Sequence, residues 1–135
     1  MTHLLDTNSC VVYLRHGRAS ALATRLAGAP PGSIVLCSIV VAELLYGAER
    51  SVQRAKTLAQ VRAFCHPFVS LPFDDIAAEE YAIIRAHLAS QGMPIGPNDL
   101  MIAAVAKANS LTLVTHNTAE FSRVPALSIE DWQAP

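Results

Sequence analysis

A chain of 135 residues, 52% of them apolar and 16% charged, is not disordered and is too short for two cores, so residues 1–135 read as a single domain. The longest apolar run, Ile34 to Ala42, is interrupted by Ser38 and falls far short of a bilayer span, which excludes a membrane-crossing segment. A formal net charge of -1 offers nucleic acid no global attraction, so a polyanionic substrate would need a local basic surface or a bound cation.

In chain order, His3-Leu4-Leu5 reads as a strand that delivers Asp6 to its carboxyl end, where Thr7-Asn8-Ser9 offer capping oxygens to a short helix over Cys10 to Leu14. Arg15-His16-Gly17-Arg18 suits the negative end of that helix. A second helix is expected from Ala19 to Ala27, with Leu22 and Leu26 on its inner side, and Gly28-Ala29-Pro30-Pro31-Gly32 stops it. Ser33 to Cys37 is rich in β-branched residues, continuous rather than alternating, and bounded by breakers, which marks a fully buried strand. Ser38 stands where it would cap the next helix, Ile39 to about Ala48, whose first turns carry one acid, Glu43. Val52 to Cys65 repeats Ala55, Leu58, Val61 and Cys65 on one face, with Arg50, Arg54, Lys56 and Arg62 toward solvent. Pro67 breaks it, and Phe68 to Leu71 is a short third strand.

Asp74-Asp75 opens an amphipathic helix with Ala77, Tyr81, Ile84 and Leu88 down one face, closed by Gln91-Gly92-Met93-Pro94. Ile95-Gly96-Pro97-Asn98-Asp99 is a turn with Asn98 and Asp99 at capping positions. The helix that follows, Leu100 to Ala108, carries only Lys107 as a charge and belongs between layers. Leu111 to Thr115 is a fourth strand, His116-Asn117-Thr118 a polar loop, and a terminal strand is expected near Leu127 to Ile129. Strands that alternate with helices predict a mostly parallel sheet covered on both faces, a three-layer α/β/α sandwich.

Ligands of such sheets collect outside the carboxyl ends of the strands, which is where Asp6 stands. By itself Asp6 is also explained as a helix cap, although Thr7, Asn8 and Ser9 compete for that role. Asp99 suits the positive end of a helix, yet that helix is otherwise apolar and faces the protein's centre, where an unpaired charge is costly. Glu43 has only apolar company, and buried Glu is rare unless paired. Carboxylates that share a site raise one another's pKa, a conflict that a hard divalent cation resolves, and oxygen-only ligation favours Mg²⁺ or Mn²⁺ over zinc.

His3, His16, His66, His87 and His116 lack metal-ligand spacing, so each reads as a surface or loop residue. There is no G-x-S-x-G elbow and no phosphate-cradling G-x-x-x-x-G-K-[ST] loop. Asp74, Asp75, Glu79 and Glu80 decorate a helix start. Cys10, Cys37 and Cys65, odd in number and without C-x-x-C pairing, suit reduced thiols, and Asp6 interrupts any signal-peptide core, so a cytoplasmic location is expected.

Asp6-Thr7-Asn8 after a first strand, Ala42-Glu43-Leu44 with Gly47, Gly96-Pro97-Asn98-Asp99 with Ile102-Ala103-Ala104, and Val114-Thr115-His116-Asn117 with Glu120-Phe121 together resemble the PIN-domain ribonucleases, specifically the VapC toxin type. The resemblance spans nearly the whole chain. It implies a Mg²⁺-dependent endoribonuclease, Mn²⁺ being an alternative, that cleaves structured RNA of the tRNA or rRNA class and inhibits translation. It also implies a homodimer blocked by a VapB-like antitoxin, a heterotetramer or larger assembly with it, and operator DNA bound only through the antitoxin.

Carried onto this chain, the resemblance makes Asp6, Glu43, Asp99 and Asn117 the site, with Asp6 and Asp99 the principal metal ligands. Asn8, Ser38 and Thr115 would orient those ligands. Asn117 is neutral where many members have an acid, which implies one tightly held ion and leaves a two-ion mechanism open. Glu43 or Asp99 would position the attacking water, and Arg15, Arg18, Arg50 and Arg54 are candidate contacts to the RNA backbone. The alternative is a catalytically weak binding module that acts with an antitoxin on operator DNA, with the neutral Asn117 as its support. An aspartyl-phosphate phosphatase ranks lower, because it needs a second Asp two residues after the first and this chain has Asn8.

Overall fold

The computed structural model describes residues 1–134, and its frame is a five-stranded sheet of β1 (His3–Leu5), β2 (Ile34–Cys37), β3 (Ser70–Leu71), β4 (Thr112–Val114) and β5 (Ile129–Glu130). The strands lie in the order β3-β2-β1-β4-β5, and every neighbouring pair is parallel, so the sheet is wholly rather than mostly parallel. Its inner strands have no polar side: Leu4, Leu5, Val35, Leu36, Leu113 and Val114 are fully buried, as strands covered on both faces require.

From β1 the chain passes through α1 (Thr7–His16) and α2 (Ala21–Gly28) to β2, and then through α3 (Ser38–Glu49) and α4 (Arg54–Cys65) to the edge strand β3. It returns by α5 (Asp75–Ser90) and α6 (Pro97–Ala108) to β4 on the other side of β1, and α7 (Thr118–Phe121) leads to β5. Right-handed crossovers in these two directions put helices on both faces of the sheet, the expected three-layer sandwich. The strand order reverses beside β1, so a crevice opens between the carboxyl ends of β1 and β4.

Several local expectations are corrected. Helix α1 starts at Thr7, not Cys10, because Asp6 itself is the cap: its Oδ1 accepts the Ser9 amide at 2.8 Å. Ser38 is the first residue of α3 rather than its cap, and its exposed hydroxyl accepts the Phe73 amide at 3.3 Å. Helix α6 starts at Pro97, whose fixed φ suits a first turn, so Asn98 and Asp99 lie inside the helix and cap nothing. The loop expected at His116 to Thr118 gives way at Thr118 to an unexpected short helix, α7, whose Phe121 is 1% exposed.

In α4 the buried face is Leu58, Val61 and Phe64, with Ala55 exposed, since Phe64 packs its ring 5.3 Å from Tyr13 of α1. His3 lies in β1, as its segment predicts, with its ring 5.1 Å from Trp132 and its Nε2 3.2 Å from Glu130 Oε2. Among the described residues no helix is long and apolar enough to cross a membrane.

Candidate active site

Four chain segments meet at the reversal in strand order. Asp6 follows β1 and is 4% exposed, and its amide donates to the Val114 carbonyl of β4 at 3.1 Å. Ser9, one turn into α1 and fully buried, donates its hydroxyl to the same carbonyl at 3.3 Å. The start of α1 is thereby pinned to the end of β4. Burial pushes the Asp6 carboxyl up, opposed by hydrogen bonds from Thr115 and Ser9, and the Glu43 charge adds to the rise. The buried Thr115 hydroxyl also accepts the Asn117 amide at 3.0 Å, so Thr115 touches both Asp6 and the segment after β4.

Glu43 reaches the same space from α3. Its Oε1 accepts the Thr7 hydroxyl at 2.6 Å and its Oε2 the Asn98 side-chain amide at 3.3 Å. A fourth carboxylate, Glu120 of α7, closes the opposite side: its Oε2 accepts the Asn117 amide group at 2.9 Å and its Oε1 the Gly96 backbone amide at 3.2 Å. Both glutamates are thus held at both oxygens by neutral donors.

Asp99, in the first turn of α6, is different. No hydrogen bond from the described residues supports its carboxylate, and burial, then Glu120, Glu43 and Asp6, push its pKa up to about 6. It is the least compensated acid of the group. The positive ends of α1, α6 and α7 converge here and offset part of the repulsion.

The expected residues Asp6, Glu43, Asp99, Thr115 and Asn117 are therefore brought together, with Thr7, Asn98 and Glu120 as unforeseen partners. Ser38 is not among them, since its hydroxyl serves Phe73. Asn8 is exposed. Of the candidate cations, Arg54 is paired with Glu49 and Arg50 lies 5.5 Å over the Tyr46 ring. Arg15 and Arg18 lie at and beyond the far end of α1, roughly 15 Å from Asp6 at the rise of an α-helix.

Among the described residues, no three Cys, His, Asp or Glu side chains converge tightly enough to enclose an ion alone. Carboxylate oxygens in this number would suit Mg²⁺, which keeps several waters and takes only one or two carboxylates. The donor chemistry agrees: oxygens only, with an excess of negative charge on Asp99.

The model of the family described as PIN domain matches residues 3–127. The chain is 40% identical over 129 residues to the tRNA(fMet)-specific endonuclease VapC of Shigella flexneri, covering 96% of each chain. It is 37% identical over 132 residues to a ribonuclease VapC2 of Haemophilus influenzae, covering 98% of each. Among solved structures it is similar to that of DNA-bound VapBC from Salmonella typhimurium, with a TM-score of 0.92 and 37% identity over 98% of each chain. VapBC2 from Rickettsia felis, bound to a promoter DNA fragment, gives a TM-score of 0.88 and 33% identity over 98% of this chain and 99% of that one.

Proposed function

This chain belongs to the PIN-domain family, and on that premise we propose that it is an endoribonuclease, the toxin of a VapBC-type toxin–antitoxin pair, which cleaves structured RNA of the tRNA or rRNA class and so inhibits translation. The observation that carries this reading is the meeting of Asp6, Glu43, Asp99 and Glu120 at the reversal in strand order, around an Asp99 carboxyl raised to about 6. The relatives named as VapC nucleases support the reaction type, and the one named for tRNA(fMet) supports the substrate class.

Asp6 and Asp99 would hold Mg²⁺, or Mn²⁺ in its place. Bound there, the ion would supply Lewis-acid stabilisation of a phosphoryl oxygen and lower the pKa of a water. The chain's own residues do the rest. Ser9 and Thr115 fix the Asp6 carboxylate. Thr7 and Asn98 aim Glu43 into the site, where it positions the attacking water and accepts its proton. Asn117 acts through Glu120, holding it beside Asp99.

A VapB-like antitoxin is the proposed partner, since the structural neighbours are VapBC complexes, some of them bound to DNA, and operator DNA would be met through that partner. The toxin would be a homodimer, joined by antitoxin into a heterotetramer or larger assembly. The reading of a silent binding module rested on the neutral Asn117, and Glu120 restores the charge at that side, so nothing now favours it.

Purified protein incubated with total tRNA and rRNA, with Mg²⁺ or with EDTA, tests the proposal. Cleavage should need the metal and should disappear in Asp6→Asn and Asp99→Asn; the first of these keeps a good helix cap, so the loss would not reflect unfolding. Undiminished cleavage by both variants would sink the assignment.

A further inference from the structure

A cavity of about 330 Å³ lies between α5 and the turn that leads into α6, the turn whose Gly96 amide donates to Glu120. Pro94, Ile95 and Pro97 form one wall and Leu88 another, while Tyr81 and Arg85 stand at its polar side. The turn has two working faces. Its prolines and Ile95 line the cavity, and the amide of Gly96, between them, donates to Glu120 in the acidic cluster. The cavity and the acidic cluster therefore share this turn.

The polar side is built in a specific way. Tyr81 meets Phe73 edge-on, with ring centroids 6.0 Å apart and planes at 89°, which fixes the orientation of the phenol. Arg85, one helical turn on, donates to the Tyr81 hydroxyl at 3.0 Å, and its guanidinium lies 5.8 Å from the ring centroid. Like six of the other Lys and Arg residues, Arg85 has no carboxylate partner among the described residues, so its guanidinium, in the wall of this cavity, is open to an anion on the ligand.

The cavity volume is at the lower end of small-molecule sites, roughly 300–1,000 Å³. Apolar walls, an aromatic ring and one guanidinium are the features by which proteins hold a base splayed out of single-stranded RNA together with its phosphate.

We propose that this α5–α6 cavity is a nucleotide subsite: it receives the unstacked base of the nucleotide next to the cleaved phosphodiester, with Arg85 on that nucleotide's phosphate. The subsite rests on the nuclease reading above. It gives an acidic protein of net charge -1 a local hold on RNA that the acids cannot provide, and it makes the fit of one base a source of sequence preference.

The test uses the full chain carrying Asp6→Asn, with ¹³C-labelled Leu, Ile and Ala methyl groups, titrated with a ten-nucleotide single-stranded RNA and with each of the four nucleoside monophosphates. Saturable shifts of the Leu88, Ala89 and Ile95 methyls are expected. Arg85→Gln should remove them with the monophosphates and lower the slope of log affinity against log salt for RNA by about 0.7, the value of one lost phosphate contact on a single strand. Ala89→Trp, which fills the cavity from an exposed position on α5, should weaken RNA binding roughly fivefold or more, the low end of what stacking one base supplies. Unshifted cavity methyls, or RNA binding by either variant equal to that of the parent, overturn the subsite. So do shifts of these methyls with protein concentration alone, which would assign the cavity to a second copy of the chain. Cleavage of RNA by the unmutated protein, followed in parallel, separates the two ideas: if it cleaves while the variants bind normally, only the subsite falls. If it neither cleaves nor binds RNA, the nuclease reading falls and takes the subsite with it.

Discussion

Replacing Asp99 with Asn should make the metal-free protein more stable at neutral pH, although the substitution removes a proposed metal ligand. The Asp99 carboxyl is raised from 3.8 to about 6 by burial and by Glu120, Glu43 and Asp6. At roughly 1.36 kcal/mol per pKa unit this amounts to about 3 kcal/mol for a fully shielded group. Asp99 is half-buried, so screening reduces the expected gain to about 1–2 kcal/mol. The direction with pH is fixed by linkage: the folded state holds this proton more tightly than the unfolded chain does. Below about 3.8 both states are protonated and the penalty vanishes; above about 6 both are ionised and the folded state carries all of it. The difference between variant and parent should therefore be near zero at about pH 4, grow as the pH rises to about 6, and level off above about 7. Urea unfolding in EDTA across that range measures it. Saturating Mg²⁺ should reverse the order, since an ion at a hundred times its Kd adds about 2.7 kcal/mol to the parent alone. An Asp99→Asn variant that is less stable without metal near pH 8, or a difference that is flat with pH, would refute the electrostatic account.

Glu120→Gln removes the largest charge acting on Asp99, so the Asp99 titration, followed by ¹³C NMR of its carboxyl carbon, should move down from about 6; an unmoved midpoint would mean that Glu120 exerts no field on the site. Ser9→Ala deletes the fully buried hydroxyl that donates to the Val114 carbonyl and should cost about 1 kcal/mol in urea unfolding. No loss there would mean that the clasp between α1 and β4 contributes nothing to stability. Phe121→Ala empties a buried position under α7 and should cost about 3–5 kcal/mol. A cost below about 1 kcal/mol, judged against that same range, would show that α7 is not anchored by its ring.

The inner strands were legible because they are short, largely apolar runs, and Ile34 to Cys37 needs no partner to be recognised as buried. Strand order was not legible, since which side of β1 receives β4 depends on helix packing across more than a hundred residues. Asp6, Glu43 and Asp99 were legible as acids in apolar company. Thr7 and Asn98 were not, because their role is to donate to a carboxylate 36 and 55 residues away. Glu120 stood among the residues that carry the resemblance but received no role, for a local reason: it lies three residues after Asn117, a spacing that faces two side chains together only in a helical turn, and no helix was expected there. Ser38 failed in the opposite sense. Its position after a strand fits a cap, but the chain enters α3 one residue earlier, and the hydroxyl turns to the Phe73 amide.

The pairing of Asn117 with Glu120 also bears on the number of ions. The neutral residue at 117 suggested a deficit of charge on that side; the structure relocates the charge by one turn and then occupies it, since both Glu120 oxygens accept protein donors. Glu43 is occupied in the same way. An ion that recruited either glutamate would have to displace hydrogen bonds already made, whereas Asp99 has none to lose and is destabilised in its charged form. On the proposed reading the affinity for an ion would therefore be concentrated on Asp99, with Asp6 beside it, and the two glutamates would stay with their protein donors. This division of labour favours a single ion, and it predicts that Mg²⁺ affinity falls far more on Asp99→Asn than on Glu120→Gln when both are titrated calorimetrically at about pH 7.5. Equal losses from the two variants would argue instead for a second ion held by Glu120.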